Sequence, residues 1–410
     1  MRATLVAALC LAGSAAIGGC GAHKGPAPQA GRTSPLSPAT GADRSEVGGA
    51  MDAGASLTPD LDRIFADPIL ARALIAVRIS SLPDGRVLYA QNASKMVVPG
   101  SNLKIVTVAV AAARLGWDYR FETRLEAIGE VSDRTLHGDL VVAGSGDPSI
   151  GSADRGPSAL FFEWADLLHR EGIDRVDGRL IGDDDAFDDQ GWGPGWAWDY
   201  LSAGYAAASG ALSYNENVAV VRVTPAAAPG APATVELTPP GHLLDIVNKV
   251  TTSAERSAPT LEVTRQPGSA KVTVQGTVPA GGAEAIRTAS TENPTRVFVE
   301  AMRLALAQRG ITVTRGAWDI DDLPSSAGAG AGGSAGARRV IARHQSEPLS
   351  ALAGYAMKVS QNFYGETFLK AIGHAGGAVG SAESGRAVEK ETLAAWGIPA
   401  DAVVLYDGSG

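Results

Sequence analysis

The sequence predicts an α/β protein in which helical segments flank a long region of short strands. A nearly continuous apolar run at residues 103–115 and an apolar run with helical spacing at 349–372 lie on either side of that region. Between residues 126 and 340 the chain shows many short β-rich runs that Pro and Gly turns separate. With 410 residues and 45% hydrophobic content, the chain is long enough for two or three domains with buried cores.

Local signals assign the individual elements. Residues 74–92 hold two β-rich runs around Leu82-Pro83-Asp84-Gly85, which predicts a hairpin because proline fixes φ and glycine tolerates positive φ. The run 103–115 is apolar at nearly every position and ends at Gly116, so we expect a helix that is buried on most sides. The other predicted elements are strands 218–225, 233–239, 260–265 and 270–278, a helix at 294–310, and a helix pair in 349–372 broken at 360–362.

The first 20 residues are typical of an export signal. Arg2 precedes an apolar run, residues 5–16, that is too short to cross a bilayer as a stable span. Ile17-Gly18-Gly19-Cys20 resembles the lipobox of bacterial lipoproteins, which predicts a signal peptide over 1–20 and a lipid on Cys20. An ordinary export signal that contains a cysteine is the alternative. We expect an exported protein on the periplasmic side of the envelope, anchored to the membrane through Cys20.

Composition marks two flexible segments. Residues 21–56 are mostly Gly, Ala, Pro, Ser and Thr, which bury too little surface to offset the entropy of ordering, so we expect a disordered tether and order from Leu57. Residues 325–339 have the composition of a Gly/Ala/Ser linker and mark a domain boundary. The β-rich region 126–340 is therefore predicted to be one or two insertions that end in this linker.

Charge and cysteine content exclude several function classes. The net charge of −9 and the absence of a Lys/Arg stripe argue against a nucleic-acid partner. Both cysteines lie in the first 20 residues, so the remaining chain has neither a disulfide framework nor a thiolate metal site. We expect no metal and no cofactor, because the histidines form no cluster with ligand spacing; these are His23, His137, His169, His242, His344 and His374.

Ser101 and Lys104 have the spacing of a serine nucleophile and its base. A serine hydroxyl is a poor nucleophile until a base takes its proton, and residues three apart share a helix face. A helix N-terminus would favour a developing oxyanion at Ser101, and apolar neighbours would desolvate Lys104 and lower its pKa. In the alternative interpretation Ser101 only caps the helix and Lys104 extends to solvent.

A Ser-x-Asn motif is the second element of this chemistry, with a hydroxyl that relays a proton and an amide that holds the substrate. It occurs twice, at Ser213-Tyr214-Asn215 and at Ser360-Gln361-Asn362. We choose Ser360 and Asn362, because they lie between helices beyond the linker. Lys358 is predicted to be a second cation near Lys104 that disfavours its protonated form; a solvated helix lysine is the alternative.

Together these motifs resemble the D-alanyl-D-alanine carboxypeptidase/endopeptidase family, the class C low-molecular-mass penicillin-binding proteins. The resemblance covers most of the chain from residue 57 onward. The stretches that carry it are PGSNLK (99–104), GDLVVAGSGDPS (138–149), GDDDAFDDQGWGPGWAWDYLSAGYAAASGALSYNENVAVV (182–221), KVSQN (358–362) and YDGSG (406–410).

The resemblance implies a penicillin-recognising serine-transferase fold of the β-lactamase and transpeptidase type. Its catalytic domain would comprise residues 57–125 and 341–410, interrupted by the inserted β-rich domains over 126–340. It implies that Ser101 attacks D-Ala-D-Ala or D-Ala-diaminopimelate bonds of peptidoglycan stem peptides through an acyl-enzyme, and that β-lactam antibiotics acylate the same serine. Carboxypeptidase and endopeptidase activity both remain open, as does the oligomeric state.

The resemblance also suggests roles for residues outside the two motifs. Asp147 is expected to recognise the charged side-chain end of the substrate, and capping of a Gly-Pro turn is the alternative. For Trp192, Trp196 and Trp198 we favour packing of the Gly-rich insertion over stacking on sugars.

The family's third motif, Lys-Thr-Gly or His-Thr-Gly, does not occur in the 410 residues, which stop inside the YDGSG stretch. We therefore expect a truncated form that lacks the C-terminal part of the sheet, is inactive and poorly stable, and leaves the N-terminal hairpin unpaired. One alternative is a non-catalytic lipoprotein of the cell envelope that binds peptidoglycan. Another is a β-lactamase, although no motif supplies a dedicated deacylating base.

Overall fold

The computed structural model describes residues 53–151, 156–323 and 337–410, and the chain divides into two compact units, Met1–Gln91 and Asn92–Gly410. The predicted signal peptide with Cys20, the tether up to residue 52 and the linker from 325 to 336 lie outside the described residues. The first helix begins at Ala53, inside the segment 21–56 that the composition predicts to be a tether, and the boundary at residue 56 stays a prediction. Alanine is the best helix former, which favours extension of the helix into that segment.

The helices are α1 (Ala53–Phe65), α2 (Leu103–Leu115), α3 (Ala159–Arg170), α4 (Pro294–Gln308), α5 (Leu349–Val359), α6 (Asn362–His374) and α7 (Ala382–Ala395). The strands are β1 (Val77–Ser80), β2 (Val87–Gln91), β3 (Glu122–Ser132), β4 (Thr135–Ala143), β5 (Arg175–Val176), β6 (Leu180–Asp183), β7 (Val218–Thr224), β8 (Thr234–Thr238), β9 (Asp245–Ser253), β10 (Glu262–Arg265), β11 (Lys271–Pro279), β12 (Ala285–Ser290), β13 (Thr312–Val313), β14 (Ala317–Asp319) and β15 (Arg339–Gln345). Across the described ranges, no helix combines the length and apolar character that a membrane crossing requires.

The first unit contains the predicted hairpin. Strands β1 and β2 pair antiparallel, with Ile79 opposite Tyr89, and form a sheet of two strands in the described part of the chain. Helix α1 packs against β2, where the ring of Phe65 stacks on Tyr89 at 6.0 Å. The Tyr89 hydroxyl also donates to Asp62 at 2.9 Å. The predicted hairpin is confirmed.

A seven-stranded sheet is the largest element of the second unit. Its main path runs β13-β5-β4-β3-β15, and β6 pairs with both β4 and β14. The predicted domain boundaries at 125/126 and 340/341 fall inside β3 and β15, which pair with each other. The division into a discontinuous catalytic domain and inserted domains therefore stays a prediction.

Helices α3 and α4 cover one face of this sheet. Leu140 and Val142 of β4 alternate toward them and pack in one cluster with Trp164 of α3 and Phe298 of α4. Helix α4 begins where the Asn293 side chain accepts a bond from the Arg296 N–H, with Pro294 in the first turn. The predicted helix over 294–310 is thus confirmed over Pro294–Gln308.

Two three-stranded sheets pack against each other elsewhere in the second unit. Their strand orders are β12-β7-β8 and β10-β11-β9, and Val221 of β7 and Val274 of β11 share their buried core. The four strands predicted in this region are confirmed within two residues at each end. The parallel pairing of β9 with β11 had no sequence signal.

Helix α6 lies at the centre of the helical part of the second unit, where Phe363 and Phe368 pack with Val110 of α2 and Leu352 of α5. The predicted break of 349–372 into two helices is confirmed. Helix α2 ends at Gly116 as predicted, and ten of its thirteen residues are buried or half-buried, which agrees with the expected burial on most sides. Ile105 in the first turn is an exception and is 58% exposed.

Candidate active site

The nucleophile candidate lies at the entrance to helix α2. Gly100 has a φ of +54°, a conformation that favours glycine, and a 3-10 turn over Gly100–Asn102 leads directly into the α-helix at Leu103. The turn leaves Ser101 exposed while Lys104, one turn later, is buried. This geometry presents the serine hydroxyl to solvent and holds the lysine amine behind it.

Lys104 is only 1% exposed, and three oxygen atoms surround its amine. The Lys104 Nζ atom lies 3.0 Å from Ser101 Oγ, 2.7 Å from Asn362 Oδ1 and 3.0 Å from the Ser409 carbonyl oxygen. The alternative in which Lys104 extends to solvent is therefore wrong. The structure brings together Ser101, Lys104 and Asn362, although 258 residues separate the last two.

The three oxygen atoms around the amine could accept all three hydrogens of an ammonium, and they also allow a neutral lysine to act as the base. The Asn362 amide nitrogen donates to the Tyr205 carbonyl at 3.1 Å, which fixes the Asn362 oxygen toward Lys104. That oxygen and the Ser409 carbonyl can only accept, so a neutral amine gives both its hydrogens to them. Its lone pair then faces the Ser101 hydroxyl, which is the arrangement that proton removal requires.

Burial lowers the pKa of the Lys104 amine, as the apolar sequence around it predicts. The charges that act on this amine are the carboxylates of Glu366 and Asp407, which oppose the effect and raise its pKa. The prediction that Lys358 is a second cation near Lys104 stays a prediction. Lys358 is exposed on α5, and within the described ranges no hydrogen bond or ion pair joins it to the site.

Ser360 ends helix α5 in a left-handed conformation, with φ +58° and ψ +42°. Asn362 then begins helix α6, so the Ser-x-Asn motif spans the break between two helices. The Ser360 side chain is exposed and makes no hydrogen bond with Ser101 or Lys104 in the described part of the chain, and its role as a proton relay stays a prediction. The other Ser-x-Asn match lies elsewhere, because Ser213 is buried and receives a bond from Asn217.

Glu216 contacts the motif from the strand-rich region, and sequence reasoning missed it. Its carboxylate accepts bonds from the Tyr355 hydroxyl of α5 at 2.7 Å and from the Gln361 side-chain amide at 2.5 Å. Glu216 and its two neighbours all have positive φ, a costly run for residues other than glycine. The sequence signal for this backbone conformation was the asparagine on each side of Glu216, since asparagine tolerates positive φ.

The segment 407–410 forms the floor of the site. Besides the Ser409 carbonyl that faces Lys104, the Gly408 carbonyl accepts a bond from the Thr107 hydroxyl of α2 at 2.9 Å. Asp407 accepts a bond from the Trp196 indole at 2.9 Å. Sequence reasoning missed the contribution of Ser409, because a backbone carbonyl carries no residue-type signature.

Asp147 is buried in an interior turn. One of its oxygens accepts bonds from the Ser149 N–H at 2.9 Å and from the Ser149 hydroxyl at 2.6 Å, and the other lies 3.2 Å from His344 Nε2. These contacts fit the turn-capping alternative. Substrate recognition by Asp147 stays a prediction.

The tryptophans of the Gly-rich stretch divide into two kinds. Trp192 donates to the Ala206 carbonyl at 2.8 Å and Trp196 donates to Asp407, so both hold loops together as expected for packing. Trp198 is 66% exposed and differs from this expectation.

One group of carboxylates outside the site has the geometry to hold a cation. Among the described residues, oxygen atoms of Asp184, Asp319 and Asp321 lie within 4.8 Å of one another. Burial raises the pKa of Asp184 to about 7 and that of Asp321 to about 6, so protonation also relieves their repulsion.

Known proteins resemble this chain over most of its length. The D-alanyl-D-alanine carboxypeptidase of Actinomadura sp. (strain R39) is 30% identical over 366 residues, which are 87% of this chain and 65% of that protein. The crystal structure of penicillin binding protein 4 (dacB) from Haemophilus influenzae aligns with a TM-score of 0.68 and 22% identity, covering 82% of this chain and 70% of that one. The same protein complexed with a novel β-lactam aligns with a TM-score of 0.62 and 21% identity over 82% and 69% of the two chains.

These alignments confirm the predicted penicillin-binding-protein fold. The chain spans less than two thirds of the length of the Actinomadura relative. The sequence profile of the D-Ala-D-Ala carboxypeptidase 3 (S13) family matches residues 57–410, which include both motifs of the site. The chain therefore belongs to the D-Ala-D-Ala carboxypeptidase 3 (S13) family.

Proposed function

We propose that the chain is a serine D,D-peptidase that cleaves D-Ala-D-Ala or D-Ala-diaminopimelate bonds of peptidoglycan stem peptides. The observation that carries the proposal is the buried Lys104 amine between one hydroxyl and two acceptor-only oxygens. Family membership and the name of the Actinomadura relative support the substrate class.

In the proposed reaction, Ser101 Oγ attacks the carbonyl carbon of the D-alanyl residue while its proton passes to Lys104 Nζ. The C–N bond then breaks, Lys104 returns the proton to the leaving amine, and an ester on Ser101 remains. Water attacks this ester, Lys104 takes the water proton, and Ser101 Oγ regains a proton as the ester bond breaks. The N-terminus of α2 favours the oxyanion formed in both steps.

We infer that β-lactams acylate the same serine. The β-lactam carbonyl is an acyl donor, and its ring opening leaves the amine tethered, so deacylation by water is slow. The solved complex of the Haemophilus protein with a β-lactam supports this inference.

The test is covalent labelling with fluorescent penicillin. Because the 410 residues contain no Lys-Thr-Gly or His-Thr-Gly, labelling is measured on this chain and on the same chain continued by a segment that carries such a motif. We expect labelling of the continued chain to vanish in Ser101→Ala and to fall at least a hundredfold in Lys104→Met. Lys271→Met replaces an exposed lysine on β11 and serves as the matched control, with labelling unchanged.

Other outcomes would select another function. Labelling that persists in Ser101→Ala or Lys104→Met contradicts the proposed mechanism. Rapid turnover of penicillin without a persistent adduct would indicate a β-lactamase. One further candidate is a non-catalytic peptidoglycan-binding protein. Cosedimentation with purified peptidoglycan, without labelling of either chain, would support it.

We also propose that the protein is exported and anchored in the cell envelope by a lipid on Cys20. The lipobox-like end of the apolar run supports this proposal. Metabolic labelling with an alkyne fatty acid tests it: we expect incorporation into the wild-type protein and none into Cys20→Ser. Equal incorporation in both would contradict lipidation at this residue.

A further inference from the structure

Helix α6 carries a row of three polar side chains into the protein interior. Asn362, Glu366 and Lys370 are four residues apart, so they lie on one face of the helix. Asn362 contacts the Lys104 amine, whereas Lys370 donates to the carbonyls of Asp188 and Ser209. The middle residue of the row, Glu366, has no place in the reaction proposed above.

Glu366 is connected to the catalytic lysine through a short backbone path. It is 3% exposed, and both its carboxylate oxygens lie 3.1 Å from the Gly408 nitrogen, which donates to them. The next residue, Ser409, provides the carbonyl that accepts a hydrogen from Lys104 Nζ. One side chain therefore holds the backbone N–H of the residue that precedes the carbonyl beside the base.

The backbones leave little room for this segment to move. A Cβ atom at Gly408 would lie 2.4 Å from the Gly365 carbonyl oxygen, so the segment and helix α6 meet backbone to backbone. Thr107 holds the same residue from the opposite side, through the Gly408 carbonyl. Glu366 thus binds the Gly408 N–H of a segment that is enclosed between α2 and α6.

We propose that Glu366 is a positioning residue for Lys104. Glu366 fixes the Ser409 carbonyl, which accepts a hydrogen bond from the Lys104 amine, and the charge of Glu366 regulates how strongly that amine holds a proton. The inference rests on the proposed role of Lys104 as base. It assigns no bond making or breaking to Glu366 itself.

The charges around Glu366 determine its ionisation. Lys104 faces it from α2, Asp407 from the segment that it holds, and Glu389 from α7. Burial raises the pKa of Glu366 to about 7, and Asp407 adds to this effect, while bonds from Ser409 and Gly408 and the Lys104 charge oppose it. As the pH rises past 7, Glu366 gains a negative charge, which raises the pKa of Lys104.

The experiment measures the ionisation of Lys104 directly, so it needs no catalytic turnover. The chain has eight lysines, few enough to resolve the 13Cε resonances of lysine-labelled protein by NMR. Lys104→Arg identifies the resonance of interest. In Glu366→Gln the amide oxygen still accepts a hydrogen bond from the Gly408 N–H, but the negative charge is gone. We therefore expect the midpoint of the Lys104 titration to fall by about one pH unit.

Glu389→Gln is the matched control. It removes a buried carboxyl from α7 that has no hydrogen bond to segment 407–410 among the described residues, and we expect it to change the Lys104 midpoint by less than half as much. Glu366→Asp retains the charge and is expected to restore a midpoint near that of the wild type. A Lys104 titration that is identical in the wild type and Glu366→Gln would overturn the proposal.

The wild-type chain gives a second test should Glu366→Gln fail to fold. The Lys104 resonance is expected to show an inflection at the pH where the 13Cδ resonance of Glu366 reports its ionisation. No inflection there would also overturn the proposal. Penicillin labelling tests the proposed function separately: a chain that never labels but shows the coupled titration refutes the peptidase and retains the positioning role.

Discussion

At the scale of single residues, the site depends on the acceptor oxygens around one amine. A lysine with only a hydroxyl beside it has no preference for the neutral form beyond its desolvation. The Asn362 and Ser409 oxygens add direction, since they take both hydrogens of a neutral amine and turn its lone pair toward Ser101. Replacing the Asn362 side-chain amide by a charged group should therefore change the base more than the fold.

Asn362→Asp makes that change with almost no change in shape. A carboxylate 2.7 Å from the amine would favour the protonated lysine, so we expect the Lys104 midpoint to rise by about one pH unit or more. Lysine 13Cε NMR measures it. Asn248→Asp is the matched control, because the Asn248 amide also donates to a backbone carbonyl, Ala233, but far along the chain. A midpoint that rises equally in both variants, or in neither, would contradict this account.

The predicted residues that the structure brings together carry their chemistry in their side chains. The spacing of Ser101 and Lys104 predicts one helix face, and the Ser-x-Asn pattern supplied Asn362. Ser409 contributes a carbonyl that every residue has, so no residue type could indicate it. Glu366 is different, because its spacing of four residues from Asn362 follows the helical period. That spacing predicts one helix face for both residues once α6 is assigned.

At the scale of elements, the break between α5 and α6 is held from outside. Glu216 connects the Tyr355 hydroxyl to the Gln361 amide, across the left-handed residue Ser360. Its own left-handed conformation costs roughly 1 kcal/mol or more. Such strain persists when surrounding contacts compensate for it, which the two bonds to Glu216 do.

Glu216→Gln should therefore loosen the motif. Loss of a charged acceptor for two donors is expected to speed amide hydrogen exchange at residues 360–362 about tenfold. Glu262→Gln is the matched control, because Glu262 also accepts from a glutamine amide, that of Gln275, on an exposed strand pair. Unchanged exchange at 360–362 would show that Glu216 does not hold the motif.

Two helical glycines test the close contact between α6 and segment 407–410. A Cβ at Gly354 on α5 meets no atom within 4 Å, so Gly354→Ala should raise the free energy of unfolding by about 1 kcal/mol. A Cβ at Gly365 on α6 would lie 2.9 Å from the Gly408 carbonyl oxygen, so Gly365→Ala should lower it by about 1–3 kcal/mol. Urea unfolding measures both changes, and the same sign for both would contradict the packing described here.

The presence of a helix or strand was predictable where the spacing of apolar residues was clear. The hairpin at 74–92 and the helix pair at 349–372 follow from turn residues and apolar spacing. Pairing was not predictable, because a strand's sequence specifies which face is buried and not which strand lies beside it. The β3–β15 pair shows this, since it joins residues on both sides of the predicted insertion.

At the scale of the whole molecule, buried carboxyls connect stability to pH. Glu366 and Glu389 have pKa values raised from 4.5 to about 7, and Asp184 is raised from 3.8 to about 7, in each case mainly by burial. A carboxyl that is easier to protonate in the folded state stabilises the fold at low pH. That contribution is lost as the pH rises from the ordinary value through the folded one.

The unfolding free energy should accordingly fall between pH 5 and pH 8. A change from 4.5 to about 7 corresponds to roughly 3 kcal/mol for one group at most, since relaxation reduces it. Asp174, with a pKa lowered to about 2 by Arg134 and His169, titrates below this window and does not offset the effect. We expect urea unfolding at pH 8 to show at least about 2 kcal/mol less stability than at pH 5.

Glu389→Gln identifies the source of this pH dependence. The variant removes one titrating group that lies buried on α7, so its stability should vary less between pH 5 and pH 8 than that of the wild type. Glu262→Gln removes an exposed carboxylate and should keep the wild-type slope. A wild-type stability that is flat or rises over this interval would mean that these carboxyls ionise freely, and that water or a rearranged backbone reaches the region behind Lys104.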